Sequence, residues 1–294
     1  MVKTGVFVGL ITLDCIYQTT QALQPNEKQV AEEVLLAAGG PASNAAIAFS
    51  ALCGHARLVG VLGQHPLAAV VRDDLAQHGV ELVDLVPETV TPPPFSSIVV
   101  NVATGDRAVI SRNAADRPMP QTLPSQDILA DADCLLIDGH QMVVSEQLAQ
   151  QAQQQQIPVV VDGGSWKAGF ERVLSLATVA IASANFAPPG VGTEAAAVAY
   201  LRSFQIPQVA VTRGDRPILY ATPTQAGELA VSTIQPVDTL GAGDIFHGAF
   251  CAQYGGTSDF LSALMGASQV AAMACQSFGT RRWISQLPVE GVCG

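Results

Sequence analysis

Apolar residues occur along this chain mostly in short, unbroken runs, each bounded by glycine, proline or polar residues. A run of this length without polar alternation is typical of a strand buried on both faces of a parallel sheet. The first run, VFVGLI, is followed closely by Asp14. Runs of this kind predict strands near residues 6–11, 56–62, 133–138, 157–164, 179–183 and 207–215.

Stretches with apolar residues at helical spacing lie between these runs. Two of them, PASNAAIAFSALCG and HPLAAVVRDDLAQHGV, finish at or beside a glycine, as helices often do. Because strands and helices alternate, the chain is predicted to form an α/β fold with a mostly parallel sheet and helices on both faces. Helices are predicted over residues 41–54, 65–80, 145–156 and 193–204, from Gly241 onward, and over about 258–278.

Two segments, residues 15–37 and 95–112, show period-two patterning instead, and TGD at 104–106 predicts a hairpin turn in the second. They predict a small antiparallel sheet outside the main one, which suits a flap over a site. The alternative is an edge extension of the main sheet. The predicted organisation is a core of residues 1–12, 38–94 and 113–294, and a lid of residues 13–37 and 95–112.

Composition narrows the classes of function. Of 294 residues, 49% are hydrophobic and 13% are charged, which predicts a folded chain with a sizeable core. A net charge of −11 argues against binding to nucleic acid or to a membrane surface. The N-terminus fits a first strand rather than a signal peptide, and no apolar stretch reaches membrane-spanning length, so a cytoplasmic protein is expected. The six cysteines lack zinc-type or disulfide spacing and are expected to be buried free thiols.

The segment DTLGAGDIFHGAF, residues 238–250, places two glycines where a loop becomes a helix. Unpaired N–H groups and the positive dipole end of a helix form an anion site there, and glycine lets a phosphate approach the backbone. Asp244 would repel an anion, so it is interpreted as a base that removes a proton from an attacking hydroxyl. The alternative is that Asp238 and Asp244 only cap the helix.

A second cluster, AAGGPASNAA at residues 37–46, places Gly39 and Gly40 before a helix whose first turn carries Asn44. An amide side chain offers both a donor and an acceptor, which suits a ligand rich in hydroxyl groups. Asp14 follows the first strand, at the sheet edge where ligands of α/β proteins bind. The alternatives are a tight turn with a helix cap, and a solvated loop aspartate.

These residues resemble the PfkB, or ribokinase-like, family of carbohydrate kinases. DTLGAGD is similar to the C-terminal signature of that family and GGPASN to its N-terminal signature, in the same order and with a similar separation. Within the family, the motifs are most similar to those of ketohexokinases. The resemblance implies a three-layer α/β/α sandwich with a β-sheet lid, and an ATP-dependent transfer of phosphate to a sugar hydroxyl.

The resemblance also implies roles for individual residues and for cofactors. Asp244 would be the catalytic base, beside an anion hole formed by the backbone of Gly241, Ala242 and Gly243. The family uses ATP with Mg²⁺, and many members need a monovalent cation such as K⁺ near the anion hole, here near Asp238. The implied sugar-binding residues are Asp14, Gly39, Gly40, Asn44 and Arg107; the implied nucleotide-binding residues are Asn185, Thr212, Gly214, Cys275 and Gly279.

Several positions depart from the family pattern. His65 stands where an aspartate is frequent, and Pro41 replaces an asparagine that ketohexokinases offer to the sugar. Asn185 is kept, but Pro188 replaces the glutamate of the family's N-x-x-E motif near the metal. His247 occupies a position where asparagine is frequent, and it is interpreted as a helix residue behind the site.

The sequence therefore predicts a sugar kinase whose ligands are a small sugar, a ketohexose or similar, and ATP. One alternative is a kinase for a nucleoside or another small alcohol, because Ile98, Val100 and Val102 alternate on a flap strand and could stack on a base. Another alternative is a protein that senses a sugar or nucleotide without turnover. Apolar faces on the flap strands predict a homodimer that packs through the lid.

Overall fold

The computed structural model describes residues 2–112, 120–121, 123, 127–255 and 257–288. Parts of the predicted core, such as residues 113–119, and Cys293 lie outside the described residues. Four cysteines are buried as free thiols, as predicted: Cys15, Cys134, Cys251 and Cys275. Among the described helices, none has the length and apolar character needed to cross a membrane.

The main sheet has nine strands in the order β13-β12-β11-β10-β9-β8-β1-β4-β5. Seven of them are parallel, and β12 and β13 add an antiparallel edge. The prediction of a mostly parallel sheet is confirmed. The strands are β1 (Lys3–Val8), β4 (Gly54–Gly60), β5 (Val80–Asp84), β8 (Cys134–Ile137), β9 (Val159–Gly163), β10 (Val179–Ser183), β11 (Gln208–Arg213), β12 (Arg216–Ala221) and β13 (Ala226–Leu229).

Helices cover both faces of this sheet, because successive strand residues point to opposite sides. In β1, Phe7 packs into the hydrophobic cluster of α1, α2, α6 and α7, whereas Val6 and Val8 pack into that of α3, α4 and α5. The three-layer α/β/α arrangement is thereby confirmed. The helices are α1 (Pro41–Cys53), α2 (Pro66–Gln77), α3 (Met142–Gln154), α4 (Phe170–Leu174), α5 (Glu194–Ser203), α6 (Ala242–Tyr254) and α7 (Phe260–Ala274), followed by a 3-10 helix at Arg282–Gln286.

A separate four-stranded sheet in the order β3-β2-β6-β7 forms the lid. Its existence confirms the predicted small sheet outside the main one and excludes an edge extension of the main sheet. The expectation of a wholly antiparallel sheet is wrong, because β2 and β6 are parallel. The chain passes through core elements between these two strands and returns in the same direction. The lid strands are β2 (Thr12–Thr19), β3 (Glu33–Gly39), β6 (Phe95–Asn101) and β7 (Asp106–Arg112).

One face of the lid packs on the loop that precedes α6. Ile16, Ile98 and Val100 are buried together with Phe278, and Val237 and Leu240 pack against them. Ile98 and Val100 therefore fill the contact between lid and core. Val102, the third residue on which the nucleoside alternative was based, is only partly buried beside them, so that alternative stays a prediction.

Candidate active site

The N-terminus of α6 leaves backbone N–H groups without side-chain partners. Gly241 precedes the helix in the left-handed region, at φ 70°, which glycine adopts without strain. Among the described residues, no side chain caps this helix, so the alternative that Asp238 and Asp244 serve as caps is wrong. A Cβ at Gly243 would meet no described atom within 4 Å. The first turn of α6 thus borders open space, as an anion cradle requires.

Asp238 fixes the loop that leads to this turn. It is buried, and its two carboxylate oxygens each accept a backbone N–H at 2.8 Å, from Leu240 and from Gly279. The carbonyl oxygen of Cys275 accepts the N–H groups of Val237 and Asp238. The predicted nucleotide residues Cys275 and Gly279 are therefore bound to the glycine loop, and Asp238 holds them there.

Asp244 stands in the first turn of α6 and accepts a hydrogen bond of 2.8 Å from Nδ2 of Asn44. Burial, together with the negative charge of Asp162, raises the pKa of Asp244 to about 7, although Asn44 and His247 act in the opposite direction. A carboxylate with a pKa near the working pH is well matched to accept a proton from a hydroxyl group. The structure therefore brings together two predicted residues that lie 200 positions apart in sequence.

Arg281 fixes the orientation of Asn44, and sequence reasoning missed it. Its Nη1 donates to Oδ1 of Asn44 at 3.0 Å, which leaves the Nδ2 group of Asn44 directed at Asp244. Its Nη2 donates to Oδ2 of Asp74 at 2.9 Å and to the carbonyl oxygen of Ala38 at 2.6 Å. Each of the two amide groups of Asn44 thus makes one hydrogen bond within the protein and keeps a second hydrogen-bonding position.

Arg281 also influences the protonation of Asp74, its ion-pair partner. Burial favours the neutral form of Asp74, but the hydrogen bond from His78 and the charge of Arg281 outweigh burial and lower the pKa of Asp74 to about 2. Asp74 is thus ionised at neutral pH and remains a charged partner for Arg281. The network joins α2, the end of β3, α1 and the segment after α7 behind the predicted sugar site.

Asp14 lies at the junction of the lid and the core, beside the two glycines of the second cluster. Its Oδ1 accepts a hydrogen bond of 2.8 Å from Thr12, and burial raises its pKa. A Cβ at Gly39 would stand 2.0 Å from Oδ2 of Asp14, so only glycine allows this approach. Gly40 has φ 94° and leads into α1. The structure therefore places Asp14, Gly39 and Gly40 together.

Arg107 connects the lid to the glycine loop. It lies on β7, and its guanidinium donates to the hydroxyl oxygen of Thr239, two residues before Gly241. The positive charge of Arg107 thus lies beside the anion cradle.

The carboxyl ends of the central strands carry two buried aspartates that sequence reasoning left without a role. Asp138 follows β8 and accepts hydrogen bonds from the N–H groups of Leu10 and Ala42 and from His140. Burial opposes its ionisation, but the charges of His140 and Lys167 lower the pKa of Asp138 to about 2. Asp162, at the end of β9, accepts the N–H of Gly164 at 2.8 Å. The sequence could have indicated both aspartates, because the apolar runs CLLID and VVVD each end in a carboxylate at the sheet edge where ligands bind.

The remaining predicted nucleotide residues lie at the same end of the sheet. Thr212 ends the pairing of β11 with β10, and its carbonyl oxygen accepts the N–H of Ala184 at 2.9 Å. Asn185 is exposed one residue further on, and Gly214 follows β11 with φ 67°.

Within the described part of the chain, no group of three or more His, Cys, Asp or Glu side chains could hold a metal ion. His65, a departure from the family pattern, caps α2 by accepting the N–H of Leu67.

A buried carboxylate beside an uncapped helix N-terminus is compatible with a phosphotransferase that has an alcohol group as acceptor. The pattern of the pfkB family carbohydrate kinases matches residues 3–286, and the chain belongs to that family. It is a sugar kinase of the ribokinase-like type.

The chain is similar to known ribokinases in sequence and in fold. A ribokinase from Haemophilus influenzae is 22% identical over 261 residues, which cover 85% of each chain. The crystal structure of a candidate ribokinase from Agrobacterium tumefaciens has a TM-score of 0.82 at 24% identity and covers 97% of this chain and 98% of its own. The ribokinase of Arabidopsis thaliana, solved with ribose and ATP, has a TM-score of 0.76 at 20% identity and covers 98% and 96%.

Proposed function

We propose that this protein transfers the γ-phosphoryl group of ATP to a hydroxyl group of a small sugar, with Asp244 as the general base. The contact between Asp244 and Asn44, beside the uncapped first turn of α6, is the observation that carries the proposal. It places a proton acceptor next to amide donors, which is the arrangement that phosphoryl transfer to an alcohol needs.

The sugar binds where Asp14, Gly39, Gly40 and Asn44 meet. Asp14 accepts hydrogen bonds from sugar hydroxyls, and the Nδ2 group of Asn44 donates to one. Asp244 takes the proton of the reacting hydroxyl as its oxygen forms a bond to the γ-phosphorus, and the bond from that phosphorus to the oxygen of ADP breaks. The backbone N–H groups of Gly241, Ala242, Gly243 and Asp244 stabilise the negative charge on the transferring group.

ATP binds across the carboxyl ends of β10 and β11 and the loops around α7. Asn185, Thr212 and Gly214 contact it on one side, and Cys275 and Gly279 on the other, while Arg107 approaches its phosphates from the lid. The open space at Gly243 leaves room for a phosphoryl group. Mg²⁺, when bound to the phosphates, offsets their charge. A K⁺ ion, if the reaction uses one, would bind near the loop that the buried Asp238 carboxylate holds.

A ketohexose or a similar sugar is the acceptor that the motifs favour. The Arabidopsis relative solved with ribose and ATP supports a sugar and a nucleotide as the pair of ligands. Pro41 removes one side chain that ketohexokinases offer to the sugar, so pentoses belong in the same test.

The proposal is tested by incubating the purified protein with ATP, Mg²⁺, and ketohexoses, aldohexoses, pentoses or nucleosides in turn. ADP release is measured with a coupled enzyme assay, and the Asp244→Asn variant serves as the control. We expect ADP release that depends on a sugar and on Asp244. Release with nucleosides alone would favour the nucleoside kinase, and binding of ATP without release with any acceptor would favour the sensing protein.

The outer face of the lid supports a homodimer. Leu36 and Ile110 lie in one row across the four strands, and Val34 lies in the next row on the same face. These side chains are 48%, 79% and 52% exposed, which is unusual for large apolar residues grouped on one sheet face. A second copy of the chain, which presents the same face, is the partner that this surface fits.

Replacement of Leu36 by glutamate is expected to convert the dimer to a monomer, because it places a charge on the apolar face of the lid. Light scattering coupled to size-exclusion chromatography measures the mass. Val90→Glu, on an exposed residue outside the lid, is the matched control and should leave the mass unchanged. A monomeric unmodified protein would contradict the proposed dimer.

A further inference from the structure

His247 lies in the second turn of α6, behind Asp244, and only 4% of it is exposed. Its Nδ1 is 2.7 Å from the carbonyl oxygen of Gly243, and its Nε2 is 3.1 Å from the carbonyl oxygen of Ile181 in β10. Carbonyl oxygens only accept hydrogen bonds, and a neutral imidazole carries a single N–H. A neutral His247 would therefore turn one unprotonated nitrogen towards a carbonyl oxygen, which is unfavourable in a buried site.

A negative charge that could balance a second proton lies next to the ring. Oδ2 of Asp162 is 3.6 Å from Nδ1 of His247, and both side chains are buried. Buried charges are stable in proteins when they are paired. Among the described residues, Asp138 also acts on Asp244 through its charge, and Asp138 itself faces the charges of His140 and Lys167.

We propose that His247 is an imidazolium, held by the carbonyl groups of Gly243 and Ile181 and by Asp162, and that its charge favours the ionised form of Asp244 during catalysis. His247 is thus a positioning residue that acts through Asp244 and does not touch the substrates. The catalytic part of this inference rests on the proposed function, whereas the protonation of the ring does not.

The electrostatics of Asp244 support this role. Burial and the charge of Asp162 raise the pKa of Asp244, and His247 opposes them. If the ring lost its charge, Asp162 would act on Asp244 without compensation, and a larger fraction of Asp244 would be protonated at neutral pH. The bond from Nδ1 to Gly243 also holds the first turn of α6, which carries the amide groups of the cradle, and the bond from Nε2 ties that turn to β10.

Nitrogen NMR of the whole protein, labelled with ¹⁵N in histidine and free of substrates, tests the protonation directly. The chain has five histidines, so the signals of His247 can be assigned by their loss in the His247→Asn variant. We expect both ring nitrogens of His247 to resonate in the protonated range at pH 7. One nitrogen in the unprotonated range would overturn the proposal.

The catalytic part is tested by the dependence of kcat/KM on pH for the unmodified protein and for His247→Asn, which keeps a donor without the charge. We expect the acidic limb of the profile to move up by about one pH unit, since an opposite charge nearby shifts a carboxyl group by roughly one to three pH units. Above that limb the two proteins should have similar rates. An unchanged midpoint, or a uniform loss at every pH, would overturn this part.

The two measurements separate this inference from the proposed function. If the unmodified protein phosphorylates no sugar, the proposed function fails while the NMR result still decides the state of His247. Thermal unfolding of His247→Asn verifies that the variant is folded, and His247→Gln provides a second neutral variant if it is not. A shifted profile in either folded variant supports the role of the charge.

Discussion

Replacement of Asp244 by asparagine is expected to lower kcat by about 10²–10⁴-fold, because general base catalysis contributes an effect of that size. Asparagine has nearly the same shape and can still accept the hydrogen bond from Asn44, but it cannot take a proton from the sugar. ATP affinity should change little, since the amide groups of the first turn of α6 are retained. A coupled assay measures kcat, and calorimetric titration measures ATP binding.

Asp73→Asn is the matched control for this variant. Asp73 is an exposed residue of α2, so the substitution removes the same charge without touching the site. We expect its kcat to equal that of the unmodified protein. Near-normal turnover of Asp244→Asn, with ATP binding intact, would remove Asp244 from its role as the base.

Replacement of Arg281 by methionine should lower the free energy of unfolding by about 3–5 kcal/mol, because removing one partner of a buried ion pair leaves the other charge uncompensated. The Arg281 and Asp74 side chains are 9% and 13% exposed, so water cannot replace the lost contact well. The KM for the sugar should also rise, because Oδ1 of Asn44 loses the donor that sets its orientation. Urea denaturation and steady-state kinetics measure the two effects.

Arg282→Met is the natural comparison, since Arg282 is the adjacent residue and forms a half-exposed ion pair with Glu33. Exposed pairs contribute about 0–1 kcal/mol, so this variant should unfold at nearly the same urea concentration as the unmodified protein. The double variant Asp74→Leu with Arg281→Met should recover part of the lost stability, because it leaves no unpaired charge. If the two arginine substitutions lowered the free energy of unfolding equally, the Arg281 network would contribute no more to stability than an exposed ion pair.

The sequence contained most of the information about the main sheet. Unbroken apolar runs indicated the central strands because those strands are buried on both faces, and the glycine loop before α6 was recognisable from its composition. The edge strands β5, β12 and β13 were missed, since they are short and partly exposed. The parallel pairing of β2 with β6 depends on the path of the chain between them, which no local pattern reports.

The candidate site was only partly predictable for a similar reason. Asp244, Asn44 and the glycines lie in conspicuous clusters. Arg281 lies 207 residues from Asp74 and 237 from Asn44, in a segment without a distinctive pattern. Its role comes entirely from the folded arrangement. His247 was recognised as a residue behind the site, but its contact with the carbonyl oxygen of Ile181 exists only because α6 packs against β10.

Asp14 belongs to a strand of the lid, whereas Asn44 belongs to a helix of the core. A molecule that contacts both side chains would therefore link the lid to the core. Its affinity would depend on how the lid is placed on the core, and by linkage its binding would favour the placement that brings both side chains within reach.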